Sequence, residues 1–473
     1  MHLPISWPSR GLALLCVVAL AGAQDPAKPT AESTAEPTAK STAEPTAEPV
    51  VEAPTGKTVL LSAERLILRP GKELAPGQVL IRDGIIVAVG ETLSAPEGAE
   101  IIQGKVVCAG FIDPWSSLGL ASAARNDREA AAEMRTLDGF AHDNSAGPLR
   151  EAARAGVLNA RIQAGGVTLV GGVGAVVSLV EDGAVQLPDA GIGANLKLGG
   201  DQVEMIEAVD KLMGEIEDGL GYDQDQNAFR TALAEWEQEI GELDAKLEKD
   251  FKKAKKSREK AIADAKKKDN EHKEESHKED KRPGAPKYNA EKEIFARVAI
   301  GEIPLVVEAD RASVLRELLK GLAAYPRVRL VIAGGREAMV VAEELAKRRV
   351  PVIVYPKPEG ASSASVQRGV GLALAAQLAE AEVPVLIGSG GTWASRDLPL
   401  LAALAVGHGL DADKALSAIT LGVARAFDLG DSLGSVQRGR IADLLVLDGD
   451  PLSSTTRVKY ALSAGRVVVT PED

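Results

Sequence analysis

Two carboxylates stand two residues apart in Leu305-Val306-Val307-Glu308-Ala309-Asp310-Arg311. The apolar, β-branched lead-in predicts a strand, and a strand turns residues i and i+2 to the same side. Glu308 and Asp310 would then face one space. Such a pair can hold Mg²⁺ or Ca²⁺ with water, or act as an acid/base couple. A structural reading competes: Asp310 caps the following helix, and Glu308 pairs with Arg311 or Arg336. Aspartate just before a helix is a common cap, which favours the structural reading.

Other chemistry-bearing residue types are sparse. Gly388-Ser389-Gly390-Gly391-Thr392 precedes a helix and could offer backbone N–H groups to an anion. Ser389 would need a base to act as a nucleophile, and no histidine lies near it in sequence. Gly165-Gly166 and Gly171-Gly172-Val173-Gly174 fit neither dinucleotide nor P-loop spacing, so they read as tight loops. His142 is isolated, His272 and His277 lie five apart on different helical faces, and His408 ends a helix. These histidines assemble no zinc site of three or four N/S ligands. Cys108, in Val106-Val107-Cys108-Ala109, reads as a buried small hydrophobe.

The chain that must position these groups has 473 residues and a net charge of −13, with 45% hydrophobic residues. That length implies one large barrel with an accessory unit, or several domains. The negative charge argues against nucleic-acid binding by the whole chain. Arg10, the apolar run Gly11–Leu20 and Ala21-Gly22-Ala23 read as a secretory signal peptide over residues 1–23, too short to span a membrane. An uncleaved anchor is the alternative. Cleavage removes Cys16, leaving Cys108 without an intramolecular disulfide partner. Residues 24–56 are a Thr/Ala/Glu/Pro repeat that cannot pack a core and reads as a disordered spacer. The expected destination is the periplasm, the cell surface or the medium, with no membrane span after cleavage.

Short β runs occupy residues 57–107, with an Asp83-Gly84 hairpin signal, and return over 436–473. They predict a small β-sandwich domain built from both chain ends. Between them, over 108–435, strands and helices alternate at about 25-residue spacing, as in a parallel sheet buried on both faces. A closed (β/α)8 TIM-like barrel fits best and a doubly wound open sheet is the fallback. Helices are expected at 336–347, 367–381, 398–405 and 412–426. A helical insertion at about 201–295 carries an apolar stripe (Leu233, Trp236, Ile240, Leu243, Leu247, Phe251) and then a Lys-rich run. That run reads as a solvated face, with a polyanion-binding arm as the alternative.

Several ordered motifs then make a resemblance. Gly104-Lys105-Val106-Val107-Cys108-Ala109-Gly110-Phe111-Ile112-Asp113 resembles the barrel entry of the amidohydrolase superfamily. Ala415–Thr420, Gly430–Val436, Gly439–Leu444 and Asp448–Leu452 resemble its last helix and returning strands, especially in imidazolonepropionase-like members. The resemblance implies an α/β barrel that hydrolyses non-peptide C–N bonds with zinc or another divalent metal at the strand C-termini. It also implies the ligand positions. A His-x-His pair falls on Trp115 and Ser117, and a bridging lysine on Lys197. Two histidine strands carry Glu308 with Asp310, and Gly334. The strand of the ligating aspartate reads Gly388-Ser389-Gly390. An indole N–H has no lone pair for a cation, and a neutral hydroxyl is a poor ligand beside imidazole. The expected function is therefore that of an exported homologue without metal or other cofactor, a pseudoenzyme or binding and scaffolding module. Its pocket would hold an unknown small molecule among Trp115, Ser117, Lys197, Gly334, Ser389 and Gly390, and homo-oligomerisation is open. The alternative is an active hydrolase of cyclic amides or small peptides with Glu308 and Asp310 as catalytic residues.

Overall fold

The Asp-Gly signal marks a real turn: Asp83 and Gly84 take φ of +51° and +81° between the strands Gly77–Arg82 and Ile85–Gly90. The computed structural model describes residues 57–120, 132–140, 147–163, 168–179, 185–197, 201–264, 282–356, 372–390 and 393–472. The signal peptide, the spacer, His142, His272, His277, Gly165-Gly166 and Gly391-Thr392 lie outside them. Among the described residues, no helix is long and apolar enough to cross a membrane.

Strands from both chain ends share one eight-stranded sheet. Leu444–Leu447 pairs antiparallel with Glu100–Ala109 on one side and with Val458–Ser463 on the other. The expected sandwich is realised as a single sheet with its own core, in which Val59, Leu61, Val79, Ile81, Val446 and Leu462 are buried together.

The middle of the chain forms two further sheets. One joins Phe111–Ser116 and Val157–Ile162 in parallel and adds Ala175–Ser178 and Val185–Leu187. In the other, Ile192–Asn195, Leu305–Ala309, Leu330–Gly334, Val352–Val354 and Val385–Ile387 run parallel in that order, with Val170–Val173 at the edge. Strands this apolar are buried on both faces, as a parallel sheet requires.

The predicted helix 412–426 is two helices, Ala412–Ser417 and Leu421–Ala426. The interruption has a use. Ile112 N donates to Ile419 O (2.8 Å) and Ile387 N to Ala418 O (3.0 Å), so the break meets the edge strand of each sheet. The helix expected at 336–347 is likewise a short turn, Ala338–Val341, followed by Ala342–Arg348. The 398–405 helix runs Leu398–Gly407 with His408 as its C-cap, and the 367–381 helix is described as Leu374–Glu380.

The insertion is one helix, Gln202–Asp264, of 63 residues, about 95 Å at 1.5 Å per residue. Met205, Val209, Leu212 and Ile216 bury its first turns. Gly219 is needed where the helix crosses the Ala290–Ala299 helix, because a Cβ there would lie 2.4 Å from Phe295 C. Past Gly219 none of its described side chains is buried.

Candidate functional site

The C-terminal ends of the strands bring Trp115, Arg161, Lys197, Glu308, Gly334, Tyr355 and Gly390 towards one another, in three linked layers.

The lowest layer is a hydroxyl network around Asp113, which is wholly buried. Its carboxylate accepts from Ser389 Oγ (2.5 Å), Ser395 Oγ (2.7 Å), Ser389 N (3.1 Å) and Trp115 N (3.2 Å). Ser116 Oγ joins through Ser395 at 2.9 Å. Burial pushes the Asp113 carboxyl up, and the serine bonds pull the other way. Ser389 therefore does not face a pocket, as its motif suggested: it is buried and its hydroxyl belongs to Asp113. Next to it Gly390, at φ +66°, lies on the surface, and its N–H donates to Trp115 O at 3.2 Å.

Above this lies Arg161, wholly buried in the Val157–Ile162 strand. Its Nε donates to Ala190 O (2.8 Å), and Nη2 donates to Gln163 Oε1 (2.8 Å) and Gly191 O (3.2 Å). The guanidinium sits 5.2 Å from the Trp115 ring centre and 5.3 Å from that of Phe427, so two aromatic faces hold the charge. Arg161 Nη1 and the Tyr355 hydroxyl are buried without hydrogen-bond partners. Burial, with Glu308 and Asp113 nearby, holds the Tyr355 phenol well above its ordinary range.

The third layer is an ion cluster. Glu308 and Asp310 do project together, as their spacing predicts, and both reach Lys197 Nζ, at 3.6 Å and 3.3 Å. Arg336 Nε lies 3.4 Å from Asp310 and its N–H donates to the same carboxylate. The structural reading of this pair needs correcting. Asp310 does not cap the following helix: Arg311 is the N-cap residue, and Glu337 Oε2 accepts from Ala312 N at 2.8 Å. Glu308 pairs with Lys197, not with Arg311 or Arg336. Burial raises the Glu308 carboxyl despite the Lys197 charge. Gly334, at φ +97°, is open space for nothing: a Cβ there would stand 2.5 Å from Asp310 Oδ1 and 2.9 Å from Lys197 Nζ.

Sequence reading missed Asp113, Arg161, Ser395 and Tyr355. The signal for Arg161 was available, since a charged residue interrupts the apolar run Val157-Leu158-Asn159-Ala160-Arg161-Ile162. Nothing in the sequence pairs Ser395 with Asp113.

A strand-rich α/β architecture, with its charged groups gathered at the strand C-termini, defines the class of protein. The chain belongs to the amidohydrolase family, whose model matches residues 139–470. It is similar in structure to an amidohydrolase from Thermotoga maritima (19% identity, 87% of this chain and 100% of that one, TM-score 0.65). An adenosine deaminase from Xanthomonas campestris with bound zinc matches at 16% identity, 87% and 93% coverage and a TM-score of 0.46. An A. niger ochratoxinase matches at 12% identity, 88% and 96% coverage and a TM-score of 0.49. Identities this low establish the fold alone. No curated protein matches by sequence.

The residues present do not fit the metal that the family resemblance implies. Two expected ligand positions, Gly334 and Gly390, have no side chain, and Trp115 packs its ring under a guanidinium. The remaining carboxylates share an ammonium. A divalent cation would have to displace Lys197 and enter beside Arg161 and Arg336, against Coulomb repulsion at low dielectric. Among the described residues, no three His, Cys, Asp or Glu side chains converge as a metal site.

Proposed function

We propose that this chain is a metal-independent amidohydrolase-family protein that binds a small molecule and does not hydrolyse it. The carrying observation is Lys197 between Glu308 and Asp310, which places a fixed protein cation on the carboxylates where metal chemistry would need them free. The middle sheets form one TIM-like barrel, its seam bridged by the carbonyls of Ala418 and Ile419, and the ligand enters at the end where Trp115, Lys197 and Gly390 meet. Its complement is an anionic group, because the mouth carries Arg161, Lys197 and Arg336 against Glu308 and Asp310 while Asp113 lies below, committed to serines. The Arg10 to Ala23 segment supports export, which puts the binding module outside the cytoplasm.

Metal analysis and a hydrolysis assay on the purified protein test this reading. No bound metal, no amide hydrolysis, and a melting temperature raised by a small carboxylate are the expected results. Stoichiometric metal, removed by chelator together with hydrolytic activity, overturns it.

One observation favours a second reading. Glu308 is a partly exposed carboxyl held above its ordinary range, the property a general acid needs. On that reading the chain cleaves cyclic amides or small peptides without metal. Hydrolysis abolished by Glu308→Gln, with the fold intact, would establish it.

A further inference from the structure

The Gln202–Asp264 helix leaves the body of the protein after Gly219 and carries large apolar side chains into solvent. Leu243 is 49% exposed, Leu247 52% and Phe251 71%. Together with Phe229, Leu233, Trp236 and Ile240 they recur at alternating steps of three and four. That is the seam of a two-stranded coiled coil. A solitary helix gains nothing from such a seam, and its exposure costs hydrophobic free energy in proportion to its area.

The chain's own following segment does not cover it. Residues 265–289 contain no Val, Leu, Ile, Met, Phe or Trp. The charge pattern says what does. Residues 223–250 hold nine acidic side chains against three basic, whereas Lys252, Lys253, Lys255 and Lys256 follow within the next six residues. A parallel pair would set lysines against lysines and acids against acids. An antiparallel pair lays the basic end of each helix along the acidic part of the other.

We propose that two copies of this chain pair through this helix as an antiparallel coiled coil centred between Leu243 and Leu247. In that register Leu243 packs on Leu247 of the other copy, twice by symmetry. Trp236 lies opposite Ala254, a large side chain over a small one. Ile240 meets the turn carrying Phe251. Lys255 stands opposite Glu235, and Lys253 beside Glu237 and Glu239, so the flanks complement the seam.

The test is the mass of the purified full-length protein by light scattering at about 10 µM, the concentration range in which short coiled coils associate. The wild type is expected as a dimer. The doubly substituted Leu243→Glu, Leu247→Glu protein is expected as a monomer with an unchanged melting transition of its body, because both side chains are exposed and far from the core. Orientation is read by cysteine cross-linking in a Cys16→Ser background. Trp236→Cys mixed with Ala254→Cys should cross-link, and Ala254→Cys alone should not. A monomeric wild type overturns the proposal and assigns the seam to another partner. A dimer that survives the double substitution overturns it as well, and cross-linking of Ala254→Cys alone overturns the antiparallel arrangement.

Discussion

The Arg161 guanidinium lies 5.2 Å from the centre of the Trp115 ring, with Phe427 at 5.3 Å. Trp115 stands where the family resemblance places the first metal-binding histidine. The positive charge next to that position is thus a side chain on a strand, held by two carbonyls, one amide and two aromatic faces. A fixed guanidinium differs from a metal in what it can do. It orients and neutralises an anion, but it has no open coordination position at which to activate water.

Removing Arg161 should therefore cost stability before it costs anything else. Arg161→Ala strands the carbonyls of Ala190 and Gly191, loses the aromatic stacking and leaves a cavity. Unsatisfied groups at about 1–3 kcal/mol each and a desolvated cation–π contact of about 2 kcal/mol give an expected loss of ~4 kcal/mol. Arg161→Lys keeps a charge but not the planar fork, and should lose roughly half as much. Denaturant titration measures both. Equal stability of Arg161→Ala and wild type would refute the structural role given to the guanidinium.

The pH dependence of folding carries the mark of Glu308. Burial raises its folded-state carboxyl above the unfolded value of 4.5, so the folded protein binds the proton more tightly. Its contribution to stability is greatest in acid and is lost as pH rises through the folded-state value. Glu308→Gln removes that loss. The variant should gain on the wild type between about pH 5 and 7, and the two curves should converge below pH 4.5, where both forms are neutral. Thermal melts across that range measure the difference. A variant that loses ground as pH rises would mean that the Lys197 pairing outweighs the burial of Glu308.

The strand order and the composite terminal sheet were legible because apolar periodicity and Asp83-Gly84 act locally. Glu308 and Asp310 were placed together by spacing alone. Their partner was not, since Lys197 joins them only through strand pairing of Asn195 with Glu308, a contact across more than a hundred residues. Asp113 shows the same limit. Its proline-flanked position marks the first strand, but the serines that satisfy it arrive from residues 389 and 395. The break at Ala418–Ile419 was invisible for a further reason. Helical periodicity continues through it, and only the sheet edges that take its two carbonyls reveal why the helix stops.

Asp443 joins the terminal sheet to the strands of the site. It is buried, its carboxylate accepts from Asn159 Nδ2 and Ala464 N at 2.7 Å each, and its carbonyl accepts from Gly110 N. Burial raises its carboxyl, with these bonds opposing the rise. Asp443→Ala leaves two buried donors unpaired, an expected loss of about 2–4 kcal/mol. Asp443→Asn keeps one acceptor and should lose less. Limited proteolysis adds a local readout: cleavage near Asn159 and Gly110 should rise in Asp443→Ala well below the melting temperature, and an unchanged digestion pattern would remove Asp443 as the link.

Gly334 tests the ion cluster without touching its charges. At φ +97° an L-residue is strained, at a cost of about 1–3 kcal/mol. The new Cβ of Gly334→Ala also meets Asp310 Oδ1 and Lys197 Nζ at distances that force them apart. Asp310 cannot retreat freely, because Arg336 N donates to the same oxygen. The flexible lysine gives way instead, and its ammonium leaves the two carboxylates. Gly334→Ala should therefore lose the melting-temperature rise produced by a small carboxylate while keeping its fold by circular dichroism. A response equal to that of the wild type would show that the ligand does not depend on Lys197 being held between Glu308 and Asp310, and would move the anion-binding role to Arg161 alone.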